Sequence, residues 1–253
     1  MVSSALWLIG LALESLLLVR AVHSSLLNRY KLFYLYLGWV LLGDLLTVPI
    51  YYFRPEFYPY VYWCEEFCSV LLGCGVVLEI YRAALSHYPG AAHMARNVIL
   101  FLFVFSISRV LVKAWNSPKW IPGATTLETE RDLRTVQTAV LTGLLALLAY
   151  YAIPIGRNLR GIVAGYSFFL GMNLIHLSAR DSLGGQFQWI WDYLQPISYV
   201  VVLLVWVATL WSYAPSFQPE GGTRLERDYQ SLLSATRRQV TDMWQHMSRS
   251  TRS

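Results

Sequence analysis

Residues 32–53 read LFYLYLGWVLLGDLLTVPIYYF, a run of 22 residues in which Asp44 is the single charged side chain. A helix needs about 20 mostly apolar residues to cross a hydrocarbon core about 30 Å thick, so this run predicts a transmembrane helix. Six more stretches read the same way: Ser4–Val22, Val61–Leu85, Val98–Trp115, Leu133–Ile155, Ile162–Leu177 and Ile190–Tyr213. In lipid every backbone polar group must be satisfied internally. The expected fold class is therefore all-α: a polytopic membrane protein, a bundle of seven transmembrane helices. The sixth run is the shortest, and Ala179 to Gly185 would extend it as a tilted or frayed end.

Composition agrees. The chain is 56% hydrophobic and 14% charged, with mean hydropathy +0.42, against a charged fraction of about 25% in ordinary soluble domains. Residues 1–213 read as the membrane domain, 214–223 as a linker and 224–253 as a cytoplasmic amphipathic tail. The net charge of +5 sits in short loops and the tail, which argues for membrane orientation and against nucleic acid. On one side lie Arg20, Arg29, Lys31, Arg82, Arg96, Arg157 and Arg160 with Arg224, Arg227, Arg237, Arg238, Arg249 and Arg252; on the other lie Arg54, Lys113, Lys119, Arg131, Arg134 and Arg180. The positive-inside rule then predicts an outer N-terminus and a cytoplasmic C-terminus. The first segment has neither a basic start nor a small-residue cleavage site, so a retained helix is expected.

Aromatic residues cluster near the second loop (Tyr51, Tyr52, Phe53, Phe57, Tyr58, Tyr60, Tyr62, Trp63), and Trp115, Trp120, Trp189 and Trp191 flank the later outer loops. They read as an interfacial belt, with a ligand-stacking cage as the alternative.

Charges within spans are the candidates for function, because each costs about 2.5–3.5 kcal/mol at a helix centre on insertion scales. The set is Glu14, Asp44, Glu65, Glu66, Glu79, Arg109 and His176. Alternating helix direction suggests an outward-facing, ligand-binding cavity holding Glu66, Arg109, His176, Gln137 and Asn173, with Asp44 at its floor. Arg109 requires a carboxylate partner in lipid, and Glu66 is the first choice. An interhelical ion pair that only fixes helix register is the alternative. Glu79 and Arg82 are three residues apart, spaced to pair at the cytoplasmic boundary. His176 also reads as a packing residue, and Cys64, Cys68 and Cys74, all on one helix, as small packing side chains without disulfide geometry.

Several enzyme classes lack their residues. His176 is the single histidine within a span among five, too few for a zinc hydrolase, so no metal site is expected. Glu65-Glu66 resembles the opening of a double-Glu intramembrane protease motif, but Val70 stands where its Arg would be. Ser167 and His176 lie about 13 Å apart along one helix, too far for a dyad. Val200–Leu210 contains no Lys for a retinal Schiff base. No cofactor is expected.

Carriers pair interrupted helices across repeats, and no repeat surrounds Pro49, Pro154 and Pro196. Gly161 and Gly165 suit close helix packing. The fourth loop, Asn116–Asp132, reads as a compact lid. In the tail, Leu225, Tyr229, Leu232, Thr236, Val240, Met243 and Met247 recur at helical spacing, predicting a surface helix whose Arg237 and Arg238 meet anionic headgroups, or a short coiled coil.

The patterns Tyr62-Trp63-Cys64-Glu65-Glu66, Leu72-Gly73 followed by Glu79-Ile80-Tyr81-Arg82, and Glu130-Arg131-Asp132 with Arg134 and Gln137 resemble an uncharacterised family of small seven-helix bacterial integral membrane proteins, of the acidobacterial type. The likeness covers most of residues 25–213. It implies an architecture and a bacterial inner-membrane location, and no mechanism, since that group has no established activity.

The resulting expectation is a non-enzymatic, sensor- or receptor-like membrane protein. Its partners would be the lipid bilayer, a small ligand of unknown identity and a cytoplasmic protein reached through the tail. A small-solute or proton-coupled transporter using Asp44 and Glu14 is the alternative, and a lipid-modifying enzyme the third reading.

Overall fold

The computed structural model describes residues 2–24, 26–115, 122–183 and 188–214, with positions 227, 228, 230, 231, 234 and 238 of the tail. The described residues form α1 (Val2–Val22), α2 (Leu26–Arg29), α3 (Lys31–Phe53), α4 (Tyr58–Ala84), α5 (Pro89–Trp115), α6 (Pro122–Tyr150), α7 (Arg157–Leu183) and α8 (Gln188–Leu210), and among them no strand occurs. Six helices, α1, α3, α4, α5, α6 and α8, contain segments long and apolar enough to cross a membrane, as in a multi-pass membrane protein. The seventh expected span corresponds to α7, which is 27 residues long and is not among those six.

Helix starts explain two departures from the hydropathy reading. Pro89 and Pro122 each open a helix, where the missing N–H is no loss. Ala91, Ala92 and Ala95 then carry α5 on toward its apolar stretch through strong helix formers. The expected lid over 116–132 is corrected along 122–132, which is the first part of α6. Past Gly123 no Gly or Pro interrupts the ladder up to Asp132, so the charged run prolongs the helix. Residues 116–121 lie outside the described residues.

Packing defines a ring. The order α1, α3, α4, α6, α7, α8 closes because α8 packs on α1, and α5 stands outside it against α4 and α6. Small residues set the close approaches. A Cβ on Gly161 would lie 1.9 Å from Thr209 Oγ1, and one on Gly165 would lie 2.3 Å from Trp206 Nε1. These two glycines let α8 side chains reach the α7 backbone.

One half of the ring is filled. Phe33, Leu37, Ile80, Ile162, Leu203 and Trp206 are fully buried there, with Phe33 edge-on to Trp206 at 4.9 Å. Polar groups close that same end. Glu79 on α4 accepts hydrogen bonds from the backbone N–H groups of Leu32 and Phe33 at 3.1 and 2.9 Å. It thus satisfies donors that the first turn of α3 leaves open. Arg82, spaced to pair with Glu79, forms no ion pair with it among the described residues. At the C-terminus of α8, Asn158 donates to the carbonyls of Thr209 and Ser212 at 2.8 and 2.9 Å, and Arg20 Nε donates to that of Trp211 at 2.9 Å.

Six tail positions, Arg227, Asp228, Gln230, Ser231, Ser234 and Arg238, are helical. Tyr151, just past α6, donates to Asp228 at 3.1 Å. The remainder of the expected amphipathic helix, including Leu225, Leu232, Val240 and Met243, lies outside the described residues.

Candidate functional site

The other half of the ring is hollow. A cavity of about 500 Å³ is lined from all six ring helices, at the end that carries the start of α1 and the α3–α4 turn. Helix periodicity places its wall. Asp44 and Thr47 lie one and two turns beyond Val40 on α3, Glu65, Glu66 and Ser69 share the inner face of α4, and Asn173 and His176 are spaced by three on α7. Tyr36, Ser69 and Val202 form the deep end. Asp44 is therefore a wall residue, which corrects its expected place at the floor.

The dominant charge contact joins Glu66 to Arg134. The Arg134 guanidinium donates to Glu66 Oε1 at 2.5 Å, with the two side chains 20% and 6% exposed for Glu66 and Arg134 respectively. The guanidinium also lies over the Phe169 ring at 5.4 Å. Packing against an aromatic face and a carboxylate is how a buried cation is kept in a weakly polar site.

Glu65 takes its position from a missing side chain. A Cβ on Gly43 would fall 2.3 Å from Glu65 Oε1, so only glycine there lets the Glu65 stem cross α3. Thr47 donates to Glu65 Oε2 at 3.3 Å, and the Trp39 indole donates to the Glu65 carbonyl at 3.2 Å. Beneath the wall, Glu14 is fully buried. Tyr199 donates to its Oε1 at 2.5 Å, while its Oε2 has no hydrogen-bond partner among the described residues.

The residues singled out by hydropathy separate into two groups. Asp44, Glu65, Glu66, Asn173 and His176 line this cavity. Arg109 does not. It faces Asp132 at 3.9 Å with the two side chains 66% and 41% exposed, so the expected Glu66–Arg109 pair is replaced by Glu66–Arg134. The reason is azimuth: depth along the bundle is similar, but α5 lies outside the ring. Gln137 is also displaced from the cavity. It is buried between helices, donating to the Val70 carbonyl at 3.0 Å and to Cys74 Sγ at 3.2 Å, with Tyr166 donating to its Oε1 at 3.4 Å.

Sequence reasoning passed over Arg134, Glu65 as a wall group, and Tyr199. Arg134 falls just inside the fifth apolar run, a signal that its inclusion among loop charges hid. The aromatic belt also divides: Tyr58, Tyr62 and Trp63 line the cavity, while Tyr52, Phe53 and Tyr60 are exposed. Among the described residues no group of three or more His, Cys, Asp or Glu side chains is arranged to hold a metal ion.

Comparison with protein-family models, curated proteins and solved structures found no match.

Proposed function

We propose that this chain is a non-enzymatic, seven-helix membrane protein of the sensor or receptor type, with α7 as the seventh span. The cavity faces outward and takes a small ligand, and the tail carries the output to a cytoplasmic protein. The observation that carries this reading is the asymmetry of the ring. The cavity is open to polar groups from six helices at one end, while the opposite half is packed with large apolar side chains and its helix ends are tied by Glu79, Asn158 and Arg20. A blind, largely pre-formed pocket suits recognition. The positive charge bias supports the orientation, and the 27-residue length of α7 supports a seventh span.

One observation favours the carrier reading instead. The second carboxyl oxygen of Glu14 is buried without a hydrogen-bond partner among the described residues, the situation of a proton-binding group in a relay. Proteoliposomes containing a trapped pH dye separate the two. Under an imposed pH gradient the sensor reading expects no proton flux above that of empty vesicles. Flux abolished by Asp44→Asn or Glu14→Gln would replace it with the carrier. Accessibility of a tag before Met1 from outside the cell, with a reporter after Ser253 kept inside, tests the orientation.

A further inference from the structure

Charge accounting in the cavity narrows its ligand. Three carboxylates line it, Asp44, Glu65 and Glu66, against one guanidinium, Arg134, and one imidazole, His176. Glu66 and Arg134 neutralise each other in a close pair that is further held over Phe169. Among the described residues no cation forms an ion pair with Asp44 or Glu65. Both are half-buried, and the side-chain donors they meet among the described residues are neutral: the Thr47 hydroxyl at Glu65 and the Trp7 indole at Asp44. Burying a carboxylate without a counter-charge is costly, so a ligand that brings a positive charge gains what the protein leaves unmatched.

The remaining wall has the same preference. Seven lining side chains are aromatic: Trp7, Tyr36, Tyr58, Tyr62, Trp63, Phe169 and Tyr199. Ring faces carry negative potential and attract ammonium groups by about 0.5–2 kcal/mol each, more as water is excluded. An anion would meet two unmatched carboxylates, and its natural partner, Arg134, is already engaged by Glu66. A bare metal ion fits poorly too, since no three-ligand cluster occurs among the described residues and the space is that of a small organic molecule.

The geometry points to a small organic ammonium ion as the ligand of this cavity, with Asp44 and Glu65 as its counter-ions and the aromatic wall around its alkyl or aryl part. This assignment rests on the cavity being a ligand site, and its test keeps the two apart. The full chain in lipid nanodiscs is unfolded by heat in the presence of benzyltrimethylammonium, phenethylamine, uncharged 3-phenylpropanol or anionic 3-phenylpropionate. Both cations raise Tm saturably, and the alcohol and the anion do not. Asp44→Asn and Glu65→Gln, close in shape to the native residues, each weaken cation binding about tenfold, the size of one charge-assisted contact.

The assignment is overturned if neither cation raises Tm in the native protein, or if both variants bind the cations as tightly as the native chain does. Stabilisation by 3-phenylpropionate that is lost in Arg134→Gln would also overturn it, leaving a ligand site for anions. Uptake of radiolabelled benzyltrimethylammonium into proteoliposomes, lost in Asp44→Asn, would keep the cation and remove the sensor reading.

Discussion

Replacing Arg134 by Met deletes the cation from the closest charge pair of the cavity while keeping most of its volume. The expected loss lies between two limits. Breaking a buried ion pair by removing one partner costs about 3–5 kcal/mol, whereas interhelical polar contacts measured in a bilayer average about 0.6 kcal/mol, because the unfolded chain in the membrane also finds partners. The Arg134 side chain is 6% exposed but that of Glu66 is 20% exposed at the cavity edge, so water reaches the carboxylate. A loss of about 2 kcal/mol follows for Arg134→Met, and about the same for Glu66→Gln. The double variant should lose about 2 kcal/mol as well, not 4, giving a coupling of about 2 kcal/mol. Reversible SDS unfolding in mixed micelles, followed by tryptophan fluorescence, reads all four proteins. Arg109→Ala is the control. Its pair with Asp132 is long and exposed, so about 0.5 kcal/mol or less is expected. Strict additivity at Glu66 and Arg134, or a larger effect at Arg109, would refute the reasoning.

Three further outcomes can be measured in the same assay. Glu79→Ala should cost about 1–2 kcal/mol, because it strips two N–H groups of α3 of their acceptor, and Glu79→Gln should recover part of this; equal losses would mean that the cap is not the source. Gly165→Ala should destabilise by about 1–3 kcal/mol through its contact with Trp206, and the added change Trp206→Phe should restore some of it; an unaltered unfolding curve would show that α7 and α8 tolerate separation. Ala152, two residues past the end of α6, has φ 49°, a left-handed conformation that costs a non-glycine residue roughly 1–2 kcal/mol. Ala152→Gly should therefore stabilise by about 0.5–1 kcal/mol after its larger unfolded-state entropy is counted, and a loss of stability would contradict this.

Hydropathy reads which stretches form long apolar helices, and that part of the structure was legible for six of the seven runs. The run Leu32–Phe53 became α3 almost residue for residue because its length and composition leave no other solvent for it. The azimuth of each helix was not legible. Arg109 and Arg134 look alike in a window of hydrophobicity, and what distinguishes them is that α6 faces the cavity while α5 lies outside the ring, a property of helix order that no local pattern encodes. Gln137 illustrates the same limit at shorter range: three residues beyond Arg134, it turns into the seam with α4 and meets Cys74. The pairing of Glu79 with α3 was hidden for a different reason. Spacing along α4 displays Arg82 as its neighbour, whereas backbone donors on another helix have no sequence signature. The glycines were partly readable: Gly161 and Gly165 have the small-residue spacing of a packed seam, but Gly43 stands alone and shows its purpose only through Glu65.

The ring closes between its first and last members, and this has a consequence for biogenesis. Glu14 in α1 receives its hydrogen bond from Tyr199, 185 positions later in the chain, and the same late helix completes the cavity wall. A nascent chain threading into the bilayer therefore carries an acidic α1 that stays unmated until α8 has been synthesised and docked. Any chain cut short before α8 exposes that acid to lipid. Closure of the cavity is thus also the mark of α8 having docked on α1, since neither the Glu14–Tyr199 contact nor the full wall exists before that step.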